Sequence, residues 1–316
     1  MNPAECRALA DRIRASVRTA MVGRELAVEA VLTAAIADGH VLLEDLPGLG
    51  KTLLARSFAL ALGLGYQRIQ FTADLLPHDI TGGEILDPSK GGFEFRQGPL
   101  FTNVLLADEI NRAPPKVQSA LLEAMQEYQV TSERTTYPLP RPFLVIATEN
   151  PLELEGTYPL PEAQVDRFLL RLKIGYPTAE EEKTILERRR SRKDDRIDAP
   201  KVTDSTTFRQ LQLAVETVEI DPSIAAYIVD LVRATREDSR AEIGSSPRGS
   251  LALQKLARAR ALLSGRDYVL PDDVKAFAEA GLAHRVLVKP EPWIRGVRGE
   301  AIVRSALERT PVPKMR

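Results

Sequence analysis

The pattern of apolar and polar residues changes character near residue 176 of this chain. Before that point, short apolar runs of strand length alternate with segments whose apolar residues recur at helical spacing. The candidate strands are residues 40–44, 66–71, 103–108, 142–148 and 168–174. Strands that alternate with helices are typical of a parallel sheet covered on both faces, so we predict an α/β fold for this part.

Two segments interrupt this alternation. Residues 82–101 are rich in glycine and contain short alternating runs, and residues 129–141 show a similar pattern just before a candidate strand. Both patterns predict β-hairpins inserted between the elements of the sheet.

After residue 176 the helical pattern continues without candidate strands. The predicted helices are residues 179–194, 204–216, 222–237, 247–263 and 271–287. The last residues contain proline and arginine and show little periodicity. We therefore predict an N-terminal helix (1–20), an α/β domain (21–176), a small all-α domain (177–289) and a C-terminal tail (290–316).

Composition excludes several classes of protein. The 316 residues are 44% apolar, which suffices for a core, and the net charge of −1 gives no general attraction for nucleic acid or anionic membranes. The single cysteine, Cys6, rules out an internal disulfide, and the histidines are too scattered for a zinc site. No apolar run approaches the ~20 residues that span a bilayer. We expect a cytoplasmic protein without membrane insertion.

A phosphate-binding sequence follows the first candidate strand. An apolar run ends in a Pro-Gly-Leu-Gly turn, and Lys51, Thr52 and a helical segment come next. In such a P-loop, backbone N–H groups surround the phosphates, the lysine reaches the β- and γ-phosphates, and the hydroxyl binds Mg²⁺. The alternative is a chance match in a loop that binds no nucleotide. The residues predicted to bind nucleotide here are Pro47, Gly48, Leu49, Gly50, Lys51, Thr52 and Leu53.

One position of this P-loop is unusual. Asp45 stands where the pattern has its first glycine, which allows a sharp exit from the strand. Aspartate tolerates a left-handed backbone better than most residues, so we expect the turn to form. A carboxylate at this place is also expected to oppose the binding of polyphosphate.

A second candidate strand ends in two carboxylates, Asp108 and Glu109. Buried parallel strands deliver such residues to the carboxyl edge of the sheet, where open α/β folds bind ligands. We predict that Asp108 holds Mg²⁺ through water and that Glu109 polarises the water that attacks the γ-phosphate. The alternative is a solvated strand end without a ligand.

Longer stretches around these motifs resemble one family. Residues 106–116 read Leu-Ala-Asp-Glu-Ile-Asn-Arg-Ala-Pro-Pro-Lys, and residues 155–164 read Glu-Gly-Thr-Tyr-Pro-Leu-Pro-Glu-Ala-Gln before Asp166-Arg167-Phe168. With the P-loop, they resemble the MoxR family of AAA+ ATPases over about residues 20–290. The resemblance implies a P-loop NTPase with a parallel-sheet core, two β-hairpin insertions and a small all-α lid domain.

The resemblance also implies roles that spacing alone leaves undecided. Asn150 matches the sensor asparagine that orients water, although an asparagine before proline is ordinarily a turn residue. Arg167 matches the arginine finger offered to a neighbouring subunit, although by itself it reads as a surface arginine. Arg248 matches the second sensor in the lid. A cation at a helix start is unfavourable by itself, which indicates that Arg248 has a partner. These three residues and Glu109 form the predicted catalytic set.

Two further features come from the resemblance. Val22 and Gly23 resemble the segment that lies against adenine, so we predict that they bind nucleotide. Glu149 departs from the family, in which glutamine is expected before the sensor asparagine.

The implied function is Mg²⁺-dependent hydrolysis of ATP to ADP and phosphate in a ring of identical subunits, a hexamer by analogy. An arginine finger contributes about 10³ to 10⁵ in rate, so an isolated subunit is expected to be nearly inert. The motion would remodel, mature or activate a partner protein, as a chaperone does. By family resemblance, that partner carries a von Willebrand factor A domain or is involved in metal insertion.

A nucleic-acid-remodelling motor is the alternative. Residues 82–103 carry a net charge of −1 and residues 129–142 a net charge of +1. A DNA channel needs several cations in each hairpin to displace counterions. We therefore expect no nucleic-acid partner.

Overall fold

The structure of the protein, a computed structural model, describes residues 1–87, 92–132, 135–150, 156–194 and 198–314. Helices and strands alternate in its first part. They are α1 (Pro3–Ala20), α2 (Glu25–Ile36), β1 (Val41–Glu44), α3 (Lys51–Leu62), β2 (Tyr66–Gln70), α4 (Pro77–Thr81), β3 (Gly82–Asp87), β4 (Gly92–Gln97), β5 (Val104–Asp108), α5 (Pro115–Glu127), β6 (Gln129–Ser132), β7 (Thr135–Pro138), β8 (Leu144–Glu149), α6 (Glu162–Val165) and β9 (Leu170–Leu172).

The second part is mainly helical. Its elements are α7 (Ala179–Arg192), α8 (Ser205–Val215), α9 (Pro222–Arg236), β10 (Ala241–Ile243), α10 (Pro247–Leu263), α11 (Pro271–Leu282), β11 (Leu287–Val288), α12 (Pro290–Ile294) and α13 (Gly299–Arg309). No helix in the described ranges has both the length and the apolar character needed to cross a membrane.

A five-stranded parallel sheet, in the order β2-β5-β8-β1-β9, forms the centre of the first part. β1, which leads into the P-loop, lies between β8 and β9. At the carboxyl edge, Glu44 of β1 is the register partner of Glu149 of β8. Asp108 of β5 is likewise the partner of Gln70 of β2. The predicted α/β fold is confirmed. Glu44, Gln70, Asp108 and Glu149 all lie at the carboxyl edge of the sheet.

Both predicted hairpins are present. β3 pairs with β4, and β6 pairs with β7, each in antiparallel register. The hairpins contact each other, because the rings of Phe95 and Tyr137 stack with their centroids 3.8 Å apart. Three of the charged residues counted in these segments, Lys90, Glu133 and Arg134, lie outside the described residues.

The first helix belongs to the core. α1 begins with a capping box, in which the side chains of Asn2 and Glu5 accept backbone hydrogen bonds of 2.8 and 2.9 Å from each other. Cys6, Ile13 and Val17 of this helix are fully buried, and the helix packs against α3 and α10. α1 therefore connects α3 of the first part to α10 of the second part.

The second part corrects two expectations. Residues 290–316 were predicted to lack a pattern, yet they contain α12 and α13, and Ile302 and Val303 of α13 are buried where it packs on α9 and α11. Pro290 obscured the pattern, but it stands in the first turn of α12, where a missing N–H is harmless. Strands also continue beyond residue 176, because β10 and β11 form a short antiparallel pair.

Candidate active site

The P-loop connects the buried strand β1 to α3. Gly48 and Gly50 have φ of 81° and 86°, in the left-handed region that favours glycine. A side chain at Gly48 would meet no atom within 4 Å, so the backbone conformation, and not lack of space, requires glycine there. Gly50 is the N-cap of α3, and the first N–H groups of that helix therefore face the loop.

A cavity of about 430 Å³ opens between the P-loop and the carboxyl edge of the sheet. The residues that line it are Pro47, Gly48, Gly50, Lys51, Thr52, Leu53, Arg68, Gln70, Asp108, Glu109 and Asn150. All of them except Arg68 and Gln70 belong to the predicted site. A lysine, a hydroxyl, an amide and two carboxylates thus converge from the ends of β1, β5 and β8.

Lys51 is held at the loop by the backbone. Its Nζ donates a hydrogen bond of 2.6 Å to the carbonyl oxygen of Asp45. Burial lowers the pKa of Lys51, and the nearby carboxylates, Asp108 foremost, act in the opposite direction. A phosphate oxygen can take the place of that carbonyl and give the buried ammonium an ionic partner.

The carboxylate of Asp108 has partners on both oxygens. Arg68 donates from Nε and Nη2 to Oδ2 at 3.1 and 2.7 Å, and Thr148 donates from Oγ1 to Oδ1 at 2.7 Å. The hydroxyl of Thr148 in turn accepts the N–H of Glu109 at 2.8 Å. Sequence reasoning missed Arg68 and Thr148, because they lie in neighbouring strands and belong to no motif.

Glu109 has a strained backbone. Its φ of 58° and ψ of 51° lie in the left-handed region, which costs a residue other than glycine about 1–3 kcal/mol. Its Oε2 accepts hydrogen bonds from Gln70 Nε2 at 2.7 Å and from Arg112 Nη1 at 3.1 Å. The turn directs this carboxylate into the cavity, where it can accept a proton from a bound water.

The side chain of Asp45 links the start of the loop to a distant segment of the chain. Its Oδ2 accepts the N–H of Gly175 at 2.8 Å and the N–H of Ile174, in the segment between β9 and α7. The expected turn is present, but Asp45 has no positive φ, so the predicted reason is wrong. The side chain is buried, with 7% exposed, and it is oriented toward the segment that leads to α7.

Comparison with known proteins agrees with this geometry. The ATPase family associated with various cellular activities (AAA) matches residues 40–170, and the AAA lid domain matches residues 233–306. The chain is 47% identical to the Bacillus subtilis protein YeaC over 300 residues, which are 95% of this chain and 93% of that protein. It is 40% identical to the chaperone MoxR1 of Mycobacterium tuberculosis over 308 residues, 95% of this chain and 81% of that protein. The chain belongs to the MoxR family of AAA+ ATPases.

A solved structure supports the same assignment. A Cytophaga hutchinsonii protein superposes with a TM-score of 0.91 at 40% identity, over 99% of this chain and 97% of that one. The MoxR family and the P-loop fold with an AAA lid, both predicted from the sequence, are confirmed. Membership of this family implies nucleotide binding, and the assignment of the P-loop cavity as the nucleotide site stays a prediction.

Glu149 is the second departure from the MoxR pattern. It ends β8 beside Glu44, directly before the buried Asn150. Burial first, and then the charge of Glu44, raises the pKa of Glu149 to about 7, while Arg171 acts in the opposite direction. This carboxyl group is therefore partly protonated near neutral pH.

The predicted finger and second sensor do not line the cavity of this subunit. Arg248 Nη1 lies 3.6 Å from Asp166 Oδ2, and Arg285 Nε donates to Asp166 Oδ1 at 2.7 Å. The cation at the start of α10 thus has the partner that its position indicated. Arg167 follows this aspartate, and its Nε is buried without a hydrogen-bond partner in the described part of the chain.

The residue before the segment predicted to lie against adenine, Met21, is close to the P-loop. Met21 Cε lies 3.9 Å from the position of a Cβ built on Gly50. Gly23 has a φ of 67° and packs so closely on α7 that a Cβ would lie 1.9 Å from Glu181 Oε1. Val22, Gly23 and Leu49 are not among the residues that line the cavity.

Proposed function

We propose that this protein hydrolyses ATP with Mg²⁺ in a hexameric ring and uses the resulting lid motion to remodel, mature or activate a partner protein. The observation that carries the proposal is the convergence of Lys51, Glu109 and Asn150 on one cavity, from three adjacent strand ends. Phosphoryl transfer needs positioning and charge neutralisation more than covalent chemistry, and this set supplies both.

The donor atoms in the cavity fit Mg²⁺. Thr52 offers a hydroxyl and Asp108 a carboxylate, both hard oxygen ligands. Among the described residues, no group of three or more His, Cys, Asp or Glu side chains could hold a metal alone. That suits a P-loop site, where Mg²⁺ keeps several waters and shares its ligands with the phosphates. When bound, Mg²⁺ would neutralise negative charge on the phosphate oxygens.

The side chains of the chain divide the remaining work. Lys51 would exchange the Asp45 carbonyl for phosphate oxygens, and the start of α3 would face their charge. Glu109 would accept a hydrogen bond from the attacking water, and Asn150 would hold that water in line. Gln70 and Arg112 position the Glu109 carboxylate for this task.

Arg167 is proposed as the finger that completes the site of the adjacent subunit. It does not line the cavity of its own subunit, and its buried Nε has no hydrogen-bond partner within the described residues. A head-to-tail ring repeats one such interface around a closed circle. Arg248 is proposed to leave Asp166 and turn toward phosphate when the lid closes.

The partner is proposed to be a protein. The first hairpin exposes Ile85, Leu86 and Phe93, of which Phe93 has 71% of its surface accessible. Exposed apolar side chains fit an unfolded or flexible polypeptide better than a phosphate backbone. A partner with a von Willebrand factor A domain, or a role in metal insertion, is the more specific form of this proposal.

We propose residues 21–176 as the nucleotide-binding domain and residues 177–289 as the lid. α13 would extend the lid, because it packs on α9 and α11. α1 would connect the two domains, since it contacts both α3 of the first and α10 of the second.

A mixing experiment tests the ring mechanism. Arg167→Ala and Glu109→Gln subunits are each expected to be nearly inactive, and mixing them should restore turnover. In mixed rings, sites with an intact Glu109 receive Arg167 from a Glu109→Gln neighbour. A matched control mixes Lys51→Ala with Glu109→Gln, whose defects both lie within one subunit's site, and it should stay inactive. If the first mixture also stays inactive, Arg167 does not act between subunits.

A further inference from the structure

We propose that Asp45 is a positioning residue that couples phosphate binding at the P-loop to the position of the lid. This inference rests on the proposed nucleotide site, but not on turnover. Asp45 makes two contacts, one with Lys51 of the P-loop and one with the segment that leads into the lid.

The first contact is made by the backbone. The Asp45 carbonyl accepts the Lys51 ammonium at 2.6 Å. A phosphate that takes over Lys51 removes this hydrogen bond, and the peptide unit between Asp45 and Leu46 is then free to rotate. The binding event is thereby transmitted to the backbone of a single residue.

The second contact is made by the side chain of the same residue. The Asp45 carboxylate accepts the N–H groups of Ile174 and Gly175, and its other oxygen accepts the N–H of Leu46 at 3.2 Å. Three N–H groups pointing at one carboxylate need an acceptor on both oxygens, which an amide cannot supply. A rotation of the Asp45–Leu46 peptide turns the Leu46 N–H away from the carboxylate, which must then lose this hydrogen bond or reorient together with its bonds to residues 174–175.

The segment next to this carboxylate contains a glycine in the left-handed region. Gly175 has a φ of 72°, and a Cβ there would meet no atom within 4 Å, so the glycine serves the backbone conformation. The next residue, Tyr176, is held by Arg24, whose Nη1 donates to the Tyr176 carbonyl at 2.8 Å. Residues 174–176 thus lie between the P-loop and the segment that precedes α2, and they lead directly to α7 of the lid.

The neighbouring position adds a second connection. Glu44 lies 3.6 Å from Arg171 Nε, and Arg171 Nη2 lies 3.4 Å from Glu300 of α13. These partly exposed ion pairs are weak, so we assign the coupling to the buried Asp45. Glycine at position 45 would give the same P-loop turn, but it could not contact residues 174–175.

The test is the variant Asp45→Asn, with a non-hydrolysable ATP analogue as the probe. Hydrogen exchange of the Ile174 and Gly175 amides reports the contact itself. Spin labels on cysteines placed at the exposed Glu123 and Glu242 report the distance between sheet and lid, with unlabelled subunits in excess. In the wild type, the analogue should change both the exchange and the distance.

In Asp45→Asn, the two amides should exchange about tenfold faster without nucleotide, as expected for the loss of a charge-assisted hydrogen bond. The analogue should bind within about threefold of the wild-type affinity, yet it should no longer change the lid distance. With ATP, kcat should fall about tenfold at an unchanged KM. The control is Asp238→Asn, which removes an equally buried carboxylate within the lid and should keep the nucleotide response.

Two results would overturn the inference. One is a normal nucleotide response of the lid in Asp45→Asn; the other is a loss of affinity as large as in Lys51→Ala, which would make Asp45 part of the phosphate site. If Asp45→Asn does not fold, Gly175→Ala takes its place, because it alters the segment without touching the P-loop. It should abolish the lid response at normal affinity, and a retained response would contradict the coupling. A wild type that binds the analogue and moves its lid but never hydrolyses ATP would refute the proposed turnover alone.

Discussion

The P-loop cavity and the joint between sheet and lid, which contains Asp45, Asp166 and Arg285, hold their charged groups in opposite ways. In the cavity, Lys51 rests on a backbone carbonyl and Asp108 on the half-exposed Arg68, partners that a ligand can replace. At the joint, Asp166 is bound by the buried Arg285, and Asp45 by backbone N–H groups. Those partners belong to the fold, and no ligand can substitute for them.

The contacts in the cavity therefore suit ligand binding, whereas the contacts at the joint suit a fixed connection between sheet and lid. Exchangeable partners keep the charged groups of the cavity hydrogen-bonded and oriented, and a ligand can take the place of those partners. We expect the permanent partners at the joint to tie the position of the lid to that of the sheet, since a buried carboxylate that loses its donors is costly. Substitutions in the cavity should therefore change binding and rate, and substitutions at the joint should change stability and coupling.

The largest effect is expected for Lys51→Ala. The variant removes the only lysine that lines the cavity in the described part of the chain, so the phosphates lose their main cation. Nucleotide binding should become undetectable by calorimetry at concentrations that saturate the wild type. Lys275→Ala, at a partly exposed lysine of α11, is the control and should bind normally. Unchanged affinity in Lys51→Ala would contradict the assignment of the P-loop.

Glu109→Gln should separate binding from chemistry. The amide keeps the shape of the side chain but cannot accept a proton, so turnover should fall by about two orders of magnitude or more while ATP still binds. Phosphate release measures the rate and calorimetry the affinity. The exposed Glu127→Gln serves as the control. A Glu109→Gln enzyme with near-normal hydrolysis would remove Glu109 from the mechanism.

Asp166→Asn tests the permanent partners. The side chain of Arg285 is only 4% exposed, and Asp166 is its carboxylate partner. The variant leaves this cation buried, so the free energy of unfolding should fall by about 3 kcal/mol in denaturant titrations. Asp272→Asn, which removes an exposed pair with Lys275, should change stability little. Equal stability of the two variants would show that the Asp166–Arg285 pair contributes no more to stability than the Asp272–Lys275 pair does.

The smallest effect depends on pH and concerns Glu149→Gln. The pKa of Glu149 is raised from 4.5 to about 7, so the folded state holds this proton more tightly than the unfolded chain does. Wild-type stability should therefore fall as the pH rises from about 4.5 to 7, by at most about 3 kcal/mol from this group. In Glu149→Gln this loss of stability should be absent, because glutamine does not ionise.

Thermal unfolding across pH checks this prediction. Glu149→Gln should match the wild type near pH 4.5 and unfold at a higher temperature at pH 8. Glu237→Gln, an exposed acid at the end of α9, should show no such divergence. Parallel pH profiles for Glu149→Gln and the wild type would mean that Glu149 ionises normally.

Much of the sheet was predictable because its signals are local. Each strand is a short apolar run, and Asp108 and Glu109 follow one of them directly, so chain order alone places them at the carboxyl edge. α12 and α13 escaped prediction because Pro290 disguised a helix start and because the apolar face of α13 is short. The partners Arg68, Thr148 and Gln70 also escaped, since strand order, which the sequence does not display, brings β2 and β8 beside β5.

By itself, the sequence determined the ligand class, the parallel sheet, the hairpins and the MoxR family, because the motifs that specify them are contiguous. The tertiary structure alone decided what Asp45 and Glu149 do. Asp45 reaches a segment about 130 residues away in the chain, and burial beside Glu44 raises the pKa of Glu149 to about 7. A carboxylate has the same formula at every position, and only its neighbours in space fix its charge and its hydrogen-bond donors.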